Sequence, residues 1–312
     1  MSWKGELKIG NLRIYWTYLF AFATLLLFIS LQNAANWGDI SPELYTNFGA
    51  PYAQEIFDGA IWGIVTNSFV HKELWHLLLS VSLFVFLGIL FEKRNKSLFF
   101  LLFVVISSFV TSSLQLAMSG DPGIGLNGVN FALFTYLMVR TKVGPRYKRW
   151  KILIWLAEIT ALILSLLNMY YDWYYFGTST IVTGFLFGLV VGLSQDRKVF
   201  FYSFQAIIWA ICLTTLIYNP YSSEWNTVQG YHAFKKGDID KAEEFYLRAL
   251  ELHPRNYAAK KNLVLIEIDR LETRAFYAHQ HENYVTARHL YIQILNLDKH
   301  NEWAKRNLQG LP

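Results

Sequence analysis

The sequence predicts an all-α protein: a polytopic membrane bundle of seven helices up to about residue 220, followed by a soluble helical-repeat domain over 221–312. Three observations carry that reading. The 312 residues are 54% hydrophobic and 16% charged, with a mean hydropathy of +0.24, too apolar for a soluble chain of this length. Several stretches stay apolar for about 18 residues or more, the length that crosses a ~30 Å hydrocarbon layer. From Ser222 the pattern breaks: residues 221–312 carry 13 Lys or Arg against 12 Asp or Glu and no long apolar run.

In chain order the predicted spans are 14–31, 74–91, 98–118, a weaker and shorter 129–139, then 152–169, 181–193 with its flanks, and 199–218. The first is too long for a signal-peptide core and no small-x-small cleavage site follows it, so it is expected to stay in the membrane. Basic residues cluster at Lys4, Lys8 and Arg13; at Lys93, Arg94 and Lys96; from Arg140 to Lys151; and at Arg197 and Lys198, with only Lys72 elsewhere before residue 220. Those clusters precede span 1 and follow spans 2, 4 and 6, the alternation that results when short cytoplasmic loops accumulate positive charge. Counting 129–139 as a crossing therefore gives seven spans, a cytoplasmic N-terminus and an extracytoplasmic tail. The net charge of +5 reads as this topology signal and not as a nucleic-acid surface. A single cysteine, Cys212, excludes an intramolecular disulfide.

In the tail, Gly230, Ala242, Tyr246, Ala249 and Pro254 have the spacing of a tetratricopeptide repeat, with small residues where two helices meet and a proline closing the second. Ala275, Ala278, Tyr284, Ala287, Tyr291 and Ile294 form a more degenerate second unit. Ala242 and Ala287 are 45 residues apart against a usual period of about 34. The surplus, roughly three helical turns, predicts one lengthened helix from Tyr257 to about His281, and a final cap is expected from Asn301 to Leu308. Repeats of this type offer concave surfaces to proteins.

Within the bundle, Asn47–Phe48–Gly49–Ala50, the run from Ile61 and Trp62 to His71, His76–Leu77–Leu78–Leu79–Ser80, Gly88 and Glu92–Lys93–Arg94 resemble the first outer loop and second helix of rhomboid intramembrane serine proteases. Gly125–Leu126–Asn127–Gly128 resembles the family's nucleophile motif, and Gly177 to Gly184, Gly188 and Gly192 its glycine-striped sixth helix. The resemblance covers roughly 45–195. It implies a division into 1–44 (N-terminus and first span), 45–195 (a six-helix-type core with that first span), 196–220 (a seventh helix) and the 221–312 tail. It also assigns roles. The nucleophilic serine position holds Asn127 and the basic histidine position Ile181; none of the eight histidines lies between His76 and residue 232. Of the two oxyanion contributors, His76 is kept and the second is Ser80. Trp62 is followed by Gly63 where the resemblance expects arginine.

A carboxamide has no ionisable oxygen to form an acyl-enzyme, and loss of nucleophile and base together leaves only a remnant of a triad's rate. The expectation is a catalytically inactive member that binds transmembrane or extracytoplasmic proteins in a bacterial plasma membrane, with lipid around it and the tail as an interaction module. The alternative is a serine protease with a relocated site, of which Ser80 beside His76 is the one sequence hint. The blander reading makes His76, Ser80 and Asn127 a mutually satisfied polar cluster. Glu158, near the middle of span 152–169, is a possible intramembrane polar site, with Gln115 a candidate partner. No cofactor and no metal are expected, because His71 and His76 have only Asp121 or Asp172 from separate loops to complete a ligand set.

Overall fold

A computed structural model describes residues 15–140, 163, 178–194 and 198–312, all in helices or their connections. The chain divides into two compact units, Met1–Asn219 and Pro220–Pro312.

The first unit opens with α1 (Tyr15–Ala34), then three short helices, α2 (Pro42–Asn47), α3 (Ala53–Phe57) and α4 (Gly63–Thr66), and a 3-10 turn, Asn67–Phe69. Helices α5 (Leu74–Glu92), α6 (Ser97–Ser119), α7 (Asn127–Arg140), α8 (Thr178–Ser194) and α9 (Lys198–Ile217) follow. Among the described residues three helices are long and apolar enough to cross a membrane: α1, α5 and, over Ser97–Met118, α6. Shorter apolar helices run over Ser179–Ser194 and Tyr202–Ile217. At 14 residues, α7 is ~21 Å long, less than the hydrocarbon thickness. It starts at Asn127, two residues before the apolar run that predicted it, because Asn127 and Gly128 are helical without being apolar. Of the predicted span 152–169 only Ile163 is described, and Glu158 lies outside the described residues.

The core of this unit interleaves α1, α5, α6, α7 and α8 through Phe28, Phe84, Phe91, Phe100, Phe103, Tyr136 and Phe187, all buried. Phe91 sits at its centre, with ring centroids 4.7–5.5 Å from Tyr136, Phe99, Phe100 and Phe103. Helices α7 and α8 approach backbone to backbone. A methyl group on Gly184 would collide with the carbonyl oxygen of Gly128, and one on Gly188 with that of Ala132, so only glycine permits this contact.

The buried carboxylate of Glu92 ties α1 to the end of α5. It accepts from Thr17 N–H at 3.0 Å, the Thr17 hydroxyl at 2.6 Å and the Ser97 hydroxyl at 2.8 Å. Gly88, one turn earlier, leaves room for Thr17, whose Oγ1 would stand 2.6 Å from an added methyl group.

The second unit contains α10 (Ser223–Lys235), α11 (Ile239–Leu252), α12 (Tyr257–Gln280), α13 (Tyr284–Leu297) and α14 (Glu302–Gln309). Each helix opens on an Asp, Asn or Ser cap, or in α14 on Asn301, whose side chain accepts from a first-turn N–H. Gly230 lets α11 approach α10, since an added methyl would lie 2.7 Å from Tyr246 Cε1. Ala242, Tyr246 and Ala249 are buried in one core with Ala259 and Ile266; Ala275, Ala287, Tyr291, Ile294 and Ala304 in another with Ile268. The 24-residue α12 thus contributes to both cores. Helix α11 stops at Leu252, two residues before Pro254, as a proline disfavours helical conformation in the residue preceding it.

Candidate functional site

One group of polar side chains in the first unit gathers where α5 and α7 begin. The segment Asn67–Phe69 to His71 leads into α5, and its backbone is joined to the α7 entry by Gly125 N–H donating to the Asn67 carbonyl at 3.1 Å. Gly125 has φ +94°, a conformation that favours glycine. A methyl group there would lie 2.7 Å from His76 Cε1 and 3.3 Å from His71 Nε2. This close approach, absent from any local sequence rule, brings both imidazoles against the loop that carries Asn127.

Asn127 is the first residue of α7. Its Oδ1 stands 3.4 Å from His76 Nε2 and 3.5 Å from Ser80 Oγ. Because the carboxamide oxygen only accepts, both neighbours donate to it, and both bonds are long. Among the described residues Ser80 and His76 therefore meet through Asn127 and not through each other. Ser80 is 3% exposed, and its backbone carbonyl accepts from Asn130 Nδ2 at 3.0 Å. One turn of α7 thus anchors the same turn of α5 twice.

His71 is fully buried. Its Nδ1 donates to the Phe69 carbonyl at 3.4 Å, and Nε2 has no partner. Burial, and secondly the neighbouring His76, push its pKa down to about 4. The ring stays neutral at physiological pH. The two imidazole centroids are 5.0 Å apart with an interplanar angle of 60°.

Ile181, on α8, is 9% exposed and offers no titratable group. It follows Thr180 and precedes the Gly184 contact with Gly128 by one turn. The polar groups that α8 does bring are Ser179 and Thr180: the Ser179 hydroxyl and the Thr180 N–H, the latter at 3.1 Å, both donate to Gln115 Oε1 of α6. Thr111, one turn earlier on α6, packs at Gly128, where a methyl group would meet its Oγ1 at 2.6 Å. Trp62, 55% exposed, immediately precedes α4 and is not brought into the His76–Ser80–Asn127 cluster by any described contact.

Sequence reasoning thus anticipated His76, Ser80, Asn127 and the glycine contacts of α8. It missed Asn67, Asn130, Thr111 and the Gln115–Ser179–Thr180 bond. The available signal was the run of polar residues from Ser107 to Gln115 inside an apolar helix, since such groups need partners away from water.

A polytopic helical membrane protein, with a His-bearing second long helix, a short helix opening on Gly-x-Asn-Gly and a glycine-faced helix packed against it, defines the class. Residues 58–217, about half of the chain, match the family model described as the Rhomboid domain, and the chain belongs to the rhomboid family. It is 31% identical over 135 residues to proteins named Rhomboid protease GlpG from Salmonella paratyphi A (strain ATCC 9150 / SARB42), Salmonella newport (strain SL254) and Salmonella typhi. The match covers 43% of this chain and 47% of each relative, so the chain spans about half the length of these relatives.

Proposed function

We propose that this protein is a non-catalytic rhomboid that holds transmembrane or extracytoplasmic protein clients, in a bacterial plasma membrane. The observation that carries the reading is Asn127. At the position where the resemblance expects a nucleophilic serine stands a carboxamide whose oxygen is already engaged by His76 and Ser80. The position expected for the base is Ile181, so no side chain there can take a proton. Covalent acyl transfer needs both.

The relocated-site reading draws little support, because Ser80 is buried and its hydroxyl is directed to Asn127. In our reading the second unit is a tetratricopeptide-like interaction module. The buried Ala242, Ala249 and Ala287 and the Gly230–Tyr246 approach support it. Seven spans with a cytoplasmic N-terminus, as the basic clusters suggest, would place that module outside. The direct test is exposure of the purified full-length protein to a fluorophosphonate serine-hydrolase probe. No labelling is expected; stoichiometric labelling at any serine would overturn the proposal, and its loss in Ser80→Ala would restore the relocated-site reading.

A further inference from the structure

Two imidazole nitrogens stand beside the space that Gly125 leaves open, and one of them faces a carboxamide oxygen. His71 Nε2 is buried and without a partner, and His76 Nε2 is 3.4 Å from Asn127 Oδ1. The place a Gly125 side chain would fill is 3.3 Å from His71 Nε2 and 3.2 Å from His76 Nε2. From the two imidazole nitrogens beside Gly125, with the Asn127 oxygen against one of them, we infer a binding site for one late-transition divalent ion, of the zinc, copper or nickel type, that would join the α5 entry to the α7 entry.

The geometry suits such an ion in four respects. Ligands at about 2.0–2.2 Å on a tetrahedral centre are roughly 3.3–3.6 Å from one another, and His76 Nε2 and Asn127 Oδ1 are 3.4 Å apart. Two imidazoles sharing a tetrahedral ion have ring centroids roughly 5 Å apart; here the distance is 5.0 Å. A metal-bound histidine commonly donates its other ring N–H to a backbone carbonyl, as His71 Nδ1 does to Phe69. Imidazole donors select late-transition ions over magnesium or calcium. Among the described residues no three His, Cys, Asp or Glu side chains cluster; the third ligand is the carboxamide. A carboxamide, unlike a carboxylate such as Asp121 or Asp172, is not a residue type that sequence spacing marks as a metal ligand.

The inference does not depend on the absence of catalysis, and its test reads metal directly. Untagged full-length protein in detergent, stripped with a chelator, is titrated with Co²⁺ and followed by its visible ligand-field absorption, then with Zn²⁺ in competition. One equivalent with tetrahedral absorption is expected in the wild type, in addition to weak binding by the exposed histidines of the tail. His71→Leu should lose that equivalent. Asn127→Asp, which replaces the neutral oxygen donor by a carboxylate, should tighten it tenfold or more, an effect that a merely structural role would not produce. Unchanged affinity in Asn127→Asp, or a tetrahedral signal that survives His71→Leu, would overturn the site.

Discussion

At the scale of the residue, the tightest constraint is Gly125. Its positive φ and the 2.7 Å approach of His76 Cε1 make even alanine unfavourable, and we expect Gly125→Ala to lower stability by about 1–3 kcal/mol, measured as a fall in Tm in detergent. Tyr246 gives a second residue-level prediction. Burial pushes its phenol pKa up to about 12, from the ordinary 10.0. An acid whose folded pKa is raised stabilises the fold below its unfolded pKa and loses that contribution as pH climbs through the folded one. Tyr246 therefore favours folding below pH 10, with the loss falling between about 10 and 12. Ultraviolet titration of tyrosinate should show a late-titrating phenol that disappears in Tyr246→Phe; a Tyr246 that titrates with the exposed tyrosines would refute this. The cluster of His76, Ser80 and Asn127 could be anticipated from matched motifs. His71 Nε2 and its approach to Gly125 could not, because the contact joins positions 54 residues apart through a backbone conformation that no local pattern encodes.

At the scale of the element, hydropathy located α1, α5 and α6, whose apolar runs have the length of a membrane crossing. It was less informative for α7 and α8, whose pairing depends on glycine contacts more than on apolar surface. Gly188→Leu should separate them at Ala132 and cost about 1–3 kcal/mol or more, seen as a lower Tm and faster proteolysis of the folded protein. Unchanged Tm would mean that α7 and α8 do not approach as described. Glu92 makes the complementary case. The sequence showed it as part of a Glu-Lys-Arg motif, whereas the fold uses its carboxylate to bind Thr17, 75 residues away. Glu92→Ala would leave the buried Thr17 N–H and hydroxyl, and the half-buried Ser97 hydroxyl, without this acceptor. The expected cost is on the order of 3 kcal/mol, whereas Thr17→Ser, which keeps the hydroxyl, should be much milder. Equal losses from the two substitutions would point to packing at Gly88 and away from the hydrogen bonds.

For the whole molecule, a rhomboid framework is followed by a second compact unit, and recognition is the role we propose for both. The division near Tyr218 was legible because composition changes abruptly there, and the long α12 because the surplus between Ala242 and Ala287 equals about three turns. The contribution of α12 to two separate cores was not legible, since Ile266 and Ile268 are neighbours in sequence that face different partners. On the proposed topology, protease added outside intact spheroplasts should digest 221–312 and spare the N-terminal basic segment; a protected tail would invert the orientation. The central claim is that the rhomboid framework is intact while its acyl-transfer chemistry is lost at two positions. Its most direct measurement is the time course of fluorophosphonate incorporation into wild type beside the double variant Asn127→Ser/Ile181→His. None is expected in the wild type, and labelling at residue 127 is expected in the variant. Incorporation into the wild type would contradict it.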